Sequence, residues 1–386
     1  MAPRTGLWFI GARGSVATTA TVGALAMTTG LAPRTGCVAD LPEVAVAAPP
    51  GVDDLLIGGH DVVGDALPKR AEALAAGGVF GHELARAVHS GLVEVDARIR
   101  PGITSNGDFQ RDAIEQVSRD VAGFRAAHGL DRVIVIDVST TEPPLELTPE
   151  HRDLDALDRA LAAGESPLPA SGVYAYAALR AGCPFVAFTP SPGPRLPAID
   201  QLARRTQLPW AGTDGKTGET LIKSALAPMF ATRALRVRSW ASYNLLGGGD
   251  GQSLADPVTA ESKTRSKNKG LGSILGHPVD GPMHIDYLPD LGDWKTAWDL
   301  VSFDGFLGTK MSMQFTWQGC DSALAAPLVL DLARLMARAH RAGAVGAVEA
   351  LGFFFKDPAG DTPHDLAGQW RALLDWCGQI GSAEQR

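Results

Sequence analysis

Unbroken apolar runs, not alternating ones, dominate the first half of the chain. GLWFIG (6–11), LLIGG (55–59), DRVIVIDVS (131–139) and CPFVAF (183–188) are rich in β-branched and aromatic residues. Runs of that length and character are strands buried on both faces, as in a parallel sheet. Between them lie helical patterns: one ending at Met27, two over 67–90, and others over 108–128, 171–181 and 196–205. A short strand LPWAG (208–212) and a helix over Thr217–Phe230 follow. Strand and helix in alternation predict an α/β fold, a Rossmann-like doubly wound sheet.

After residue 236 the period changes. RVRSWASYN and PMHIDYLP read as strands, and from Trp298 to Trp317 the pattern turns β. Met311, Met313, Phe315 and Trp317 alternate with Ser312, Gln314 and Thr316, which predicts a half-buried antiparallel strand suited to core or subunit contact. From Asp321, DSALAAPLVLDLARLMARA is a strongly amphipathic helix. The expected organisation is a Rossmann-like domain over 1–245, an inserted mixed α/β domain over 246–319 for substrate and oligomer contacts, and a return to the first domain over 320–386. The Ala-, Pro- and Gly-rich stretch 38–54 reads as a loop.

Composition narrows the function. With 386 residues and a net charge of −8, the chain offers no basic field for nucleic acid or an anionic membrane. Its four cysteines are widely spaced without a C-x-x-C, as expected of a reduced cytoplasmic protein. No apolar run approaches the roughly 20 residues of a spanning helix.

The first strand runs into Gly11-Ala12-Arg13-Gly14-Ser15-Val16-Ala17 and then a helix. This is a G-x-x-G-x-x-A variant of the dinucleotide fingerprint. Gly11 permits the turn, Gly14 lets the backbone approach a pyrophosphate, and Ala17 allows close packing. Asp61 ends the second strand, where an acid binds ribose hydroxyls. Ser139, Thr140 and Thr141 end the third, with Thr189 and Asp214 at the ends of the next two, completing a candidate cofactor crevice. Only nine of 35 basic residues are Lys, and seven of those nine fall between 216 and 310, beside glycine-rich turns. Lysine, unlike arginine, serves readily as a proton-transfer group as well as a cation. The cluster therefore points to a site that handles phosphate and protons.

With these segments in view, the chain resembles the myo-inositol-1-phosphate synthase family along nearly its whole length. The most specific motifs are GTDGKTGET with Lys223 after it, SYNLLGGGDGQSL, the pair Lys263 and Lys267, DYLPDLGDWKTAWD (286–299) and DSALAAPLVLDL (321–332). The resemblance implies tightly held NAD, a hexose 6-phosphate substrate, a homotetramer, and a reaction without net redox change. Glucose 6-phosphate would be oxidised at carbon 5, enolised at carbon 6, closed onto carbon 1 and reduced again, giving a myo-inositol phosphate. It further implies Lys223 and Lys267 as catalytic lysines, with Asp293 and the adjacent Lys295 as proton-exchange and orienting groups. Lys216 and Lys263 would serve phosphate or structure. Asn244 and the turn bearing Gly248 and Asp250 would lie near substrate phosphate, as would Lys356 of the K-x-P segment. Family members differ in using an ammonium or a divalent cation, and no metal-ligand pattern stands out. Three departures fall on the substrate side: Leu221 stands where many members have a second lysine, His340 and Arg341 occupy the region of another, and Thr189-Pro190-Ser191-Pro192 replaces an amide-rich turn. They leave open a cyclase that makes a five-membered ring from fructose 6-phosphate. A plain NAD-dependent sugar-phosphate dehydrogenase is a further alternative.

Overall fold

A computed structural model describes residues 4–103, 110–248 and 271–383. Seven strands form one parallel sheet: β1 (Thr5–Ile10), β2 (Leu55–Asp61), β3 (Ile99–Pro101), β4 (Arg132–Asp137), β5 (Phe185–Ala187), β6 (Pro209–Gly212) and β11 (Gly346–Ala347). Their order is β11-β6-β5-β4-β1-β2-β3. The core of that order is the doubly wound 3-2-1-4-5-6, whose direction reverses between β1 and β4. The continuous apolar runs are explained by packing on both faces. Leu7, Phe9, Ile134 and Ile136 point to one core, with helix α1 (Ser15–Thr28) and the Asp321–Arg341 helix. Trp8, Ile10, Val133 and Val135 point to the other, with the Gln110–Ala127 and Ala170–Arg180 helices.

A second sheet has the order β10-β9-β7-β8, from β7 (Arg236–Leu246), β8 (Met283–Tyr287), β9 (Trp294–Asp304) and β10 (Lys310–Cys320). β9 is antiparallel to β7 and β10, while β7 and β8 are parallel. The alternation read in β10 places Met313 and Phe315 against a small core with Phe230, Trp240 and Val301. β7 starts ahead of residue 246, so this sheet draws strands from both sides of the boundary expected there.

The 38–54 stretch is more ordered than its composition suggests. It carries short helical turns at Val38–Asp40, Pro42–Ala45 and Val52–Asp54. The long Asp321–Arg341 helix clips it in place: Asp331 accepts from Val38 N (2.5 Å), and Arg334 donates to Pro50 O (2.7 Å) and Asp40 (2.6 Å). Long-range partners fix a segment that local propensity leaves open.

Candidate active site

The parallel sheet's switch point opens into a cleft of about 410 Å³, and the second sheet forms its far wall. On the near side, Gly11 holds φ +84°, with its amide bonded to His60 O (2.9 Å). A Cβ at Gly11 would lie 3.1 Å from Ser139 Cα, so the two turns meet backbone to backbone. Gly14 begins α1 with no capping side chain, and Gly14, Ser15 and Val16 face the cleft. Amides at the start of a 14-residue helix, with no side chain over them, fit a dinucleotide pyrophosphate. Ser139, Thr140, Thr141 and Thr189 line the same crevice. Ser139 Oγ donates to Asp137 (2.6 Å), whose carboxyl is pushed up to about 6 by complete burial. Asp61 is nearly buried and accepts the amides of Arg13 (2.6 Å) and Val63 (2.7 Å), bracing the glycine turn. Gly11, Ala12, Arg13 and Asp61 support the cleft without lining it, whereas Arg70 lines it and donates to Arg13 O (3.0 Å).

The far wall follows from strand register. Leu246, Lys295 and Gly319 are opposed across β7, β9 and β10; Asn244, Ala297 and Trp317 form the next row; Ser242, Asp299 and Phe315 the third. Every second residue faces the same side of the sheet, so Lys295, Asn244 and Asp299 descend step by step from the mouth inward. Lys295 is ion-paired to Asp321 and donates to Thr217 Oγ1 (3.2 Å). A Cβ on Gly218 would come within 2.7 Å of the Lys295 ammonium, so glycine makes room for it. Asp293 accepts from Ser322 Oγ (2.7 Å), and its carbonyl accepts Asp321 N (2.9 Å). Gly247 lets the end of β7 touch the Gly292 turn, bringing Gly248 beside Asp293. Asn244 is 4% exposed and lines the cleft, and among the described residues its Nδ2 meets no acceptor. A buried amide donor without an acceptor in a cleft wall fits an oxygen-rich ligand. Lys356 lines the third side, pairing with Asp214 (2.8 Å).

Lys223 lies one layer deeper. Its ammonium is ion-paired to Glu219, donates to Ser242 Oγ (2.8 Å) and stands 3.7 Å from Asp299. Burial, and then the charge of Glu219, holds the Asp299 carboxyl above its usual range. Glu219, not Lys223, reaches the cleft surface.

Lys216 is not brought to the cleft. It is 4% exposed, bonded to Gln369 and 5.8 Å from the Phe353 ring centre. Burial lowers its pKa from 10.5 to about 8. Between those two values the unfolded chain holds a proton that the folded chain releases, so this group makes stability rise with pH across about 8 to 10.5. Lys216→Met should remove that slope, flattening Tm between pH 7 and 10. At pH 7 it should stabilise by about 1 kcal/mol, since relief of the buried charge exceeds the cost of an unpaired Gln369.

His340 and Arg341 end the long helix away from the cleft: His340 feels Arg132 and Arg125, and Arg341 donates to Ala48 O (3.3 Å). Asp250, Lys263 and Lys267 lie outside the described residues. Thr217, Glu219, Asp321 and Ser322 line the cleft although sequence reasoning assigned them no role. Their signal is position within GTDGKTGET and DSALAAPLVLDL. Among the described residues no three His, Cys, Asp or Glu side chains are grouped to hold a metal ion, and no helix is long and apolar enough to cross a membrane.

Comparison with known proteins bears on the family and the fold. The family model described as myo-inositol-1-phosphate synthase matches residues 5–377. Inositol-3-phosphate synthase 1 of Bacteroides thetaiotaomicron is 32% identical over 96% of this chain and 94% of its own. The Trypanosoma brucei brucei inositol-3-phosphate synthase is 36% identical over 60% of this chain and 46% of its own. In fold, the chain is similar to the inositol-3-phosphate synthase structure of Caenorhabditis elegans, with TM-score 0.89 at 22% identity over 98% of this chain and 86% of that one. A myo-inositol-1-phosphate synthase-related protein from Thermotoga maritima gives TM-score 0.77 at 22% identity, over 97% and 98% of the two chains.

Proposed function

The chain belongs to the myo-inositol-1-phosphate synthase family, and from that premise we propose that it is an NAD-dependent, redox-neutral cyclase converting glucose 6-phosphate to a myo-inositol phosphate. The observation that carries this reading is a single cleft shared by the Gly14 turn and the Asp293, Lys295 and Asp321 set. NAD, bound against the glycine turn by Gly14, Ser15 and Val16, supplies first the oxidising and then the reducing equivalents. The protein's own groups do the rest. Lys295 is a fixed cation for oxygen that becomes negative on the sugar, and it acts strongly because the wall around it excludes water. Asn244 and the Gly248 turn hold the substrate's oxygens. Asp293 orients and exchanges protons, and Lys223, with its buried partners, serves the proton that leaves the carbon 5 hydroxyl on oxidation and returns to that oxygen on reduction. Lys267 belongs to this set by sequence motif. Exposed Trp298 and Tyr243 on the second sheet, with Phe306 and Leu307 at its β9–β10 turn, support self-association, as in a homotetramer.

The test is phosphorus and proton NMR of purified protein with catalytic NAD⁺ and, in separate tubes, glucose 6-phosphate and fructose 6-phosphate. We expect an inositol phosphate from the first, without NADH accumulating. A carbocycle from fructose 6-phosphate alone would shift the substrate and direct attention to Thr189 and Pro190, the departures that line the cleft. Stoichiometric NADH would replace the cyclase by a dehydrogenase.

A further inference from the structure

We propose that Arg70 is a cofactor-binding residue whose guanidinium pairs with the pyrophosphate of the dinucleotide. The proposal rests on the NAD reading above and adds a residue that lies outside the glycine motif. Arg70 belongs to the Leu67–Ala76 helix, which follows β2. Leu67, Ala71, Leu74 and Ala75 form the buried stripe of that helix, and Leu67 and Ala71 join the core that also takes α1. Position 70 flanks the stripe, so its side chain is half-buried and lines the cleft instead of the core. Its Nε donates to Arg13 O (3.0 Å). That carbonyl belongs to the peptide group whose nitrogen is Gly14 N. The guanidinium is therefore fixed one peptide group away from the helix start that faces the cleft.

Among the described residues, the cations that line the cleft are Arg70, Lys295 and Lys356. Lys295 faces Asp321, and Lys356 faces Asp214. Arg70 ion-pairs with no carboxylate of the described residues, because the acids around it are engaged elsewhere. Asp61 accepts the amides of Arg13 and Val63, Asp65 pairs with Lys69 (2.7 Å), and Asp96 pairs with Arg13 (2.9 Å). With Nε held by a carbonyl, the two Nη groups remain as a fork, the geometry that grips phosphate oxygens in pairs. Helix amides at Gly14 offer an anion only partial charges. Arg70 sets a full positive charge beside them. The pyrophosphate is the same in NAD⁺ and NADH, so the contact holds both forms alike. That suits a cycle in which the reduced cofactor stays bound between two hydride transfers.

The experiment measures Kd for NAD⁺, NADH and NADP⁺ by calorimetry in wild type, Arg70→Met and Arg70→Lys of the whole chain. Arg70→Met should weaken NAD⁺ and NADH by the same factor, about 10-fold or more. Arg70→Lys keeps the charge without the fork and should fall between the other two. Because Nε also braces the glycine turn, salt dependence separates ligand contact from support. An ion pair to the ligand is screened by salt, so wild-type Kd should rise more steeply than that of Arg70→Met between about 0.05 and 0.5 M salt. Equal Kd in wild type and Arg70→Met would overturn the proposal. So would a loss with parallel salt slopes, which would leave Arg70 as a brace of the Arg13 carbonyl. Weaker NADP⁺ with unchanged NAD⁺ in Arg70→Met would move the contact to a ribose 2′-phosphate and overturn it too. Wild-type protein that binds no NAD⁺ would sink the cofactor reading along with the proposal. Protein that binds NAD⁺ through Arg70 but forms no inositol phosphate would sink the cyclase reading alone.

Discussion

Lys223→Met is expected to lower kcat at least about 1,000-fold while NAD affinity stays within two-fold of wild type. The catalytic part follows from position: Lys223 is the cation between Glu219, which faces the cleft, and Asp299, which does not. Removing a proton-transfer group of this kind costs about 10² to 10⁴ in rate. NAD affinity should be spared because the Gly14 turn is built by different elements of the chain. Stability must be followed alongside, since methionine leaves two buried carboxylates without their ammonium. Breaking a buried pair from one side costs about 3–5 kcal/mol. Lys223→Met combined with Asp299→Asn removes part of that penalty. This double variant should regain stability and remain inactive. Turnover recovered along with stability would mean that Lys223 serves only to hold the fold together. Calorimetric NAD titration, thermal melts and product NMR on the same samples distinguish these outcomes.

Lys223 also shows what sequence could and could not reveal. Its place in GTDGKTGET-x-x-K singles it out, but one-dimensional spacing does not give its depth. The structure puts it behind Glu219, because residues 219 and 223 stack along one helix face and the second sheet closes over the latter. Lys216, which the sequence leaves between phosphate and structure, lies away from the cleft for a related reason. Proximity to glycines in the chain says little about which way a lysine points, and the Leu366–Ala383 helix, more than 150 residues away, supplies its partner Gln369. Elements with strong periodicity were read with small boundary shifts. β1, β2, β4 and β5 declare themselves by unbroken apolar runs and β10 by its strict alternation, whereas the short edge strands β3 and β11 carry no such run and escape the sequence reading. The three short turns between Val38 and Asp54 are hard to read because their local signals are slight, such as Asp54 accepting from Gly51 N (2.9 Å), while Asp331 and Arg334 pin the stretch from nearly 300 residues away. Ala297, whose small side chain leaves space between Asn244 and Trp317, acquires meaning only from the register of three strands.

Gly11→Val is expected to abolish NAD binding at concentrations where wild type saturates, and activity with it. Two independent costs meet at this position. The backbone is held at φ +84°, where a β-branched residue is strained by roughly 1–2 kcal/mol. In addition, the first added carbon lies 3.1 Å from Ser139 Cα and 3.2 Å from Ser139 N, against backbone that cannot rotate aside. Overpacking of that kind costs about 1–3 kcal/mol more. The cheapest relief is for the two turns to separate. That movement carries Gly14 away from Ser139, so the helix amides and the β4 crevice no longer face one ligand. A loss of several kcal/mol in binding corresponds to at least a 100-fold weaker NAD affinity. The comparison variant is Gly14→Ala, whose Cβ would meet only Gly11 O at 3.1 Å, at a backbone angle of φ −67° that alanine adopts freely. It should bind NAD more weakly than wild type but far better than Gly11→Val. Equal affinities for the two variants would mean that the strained approach of Gly11 to Ser139 does not hold the nucleotide crevice in shape.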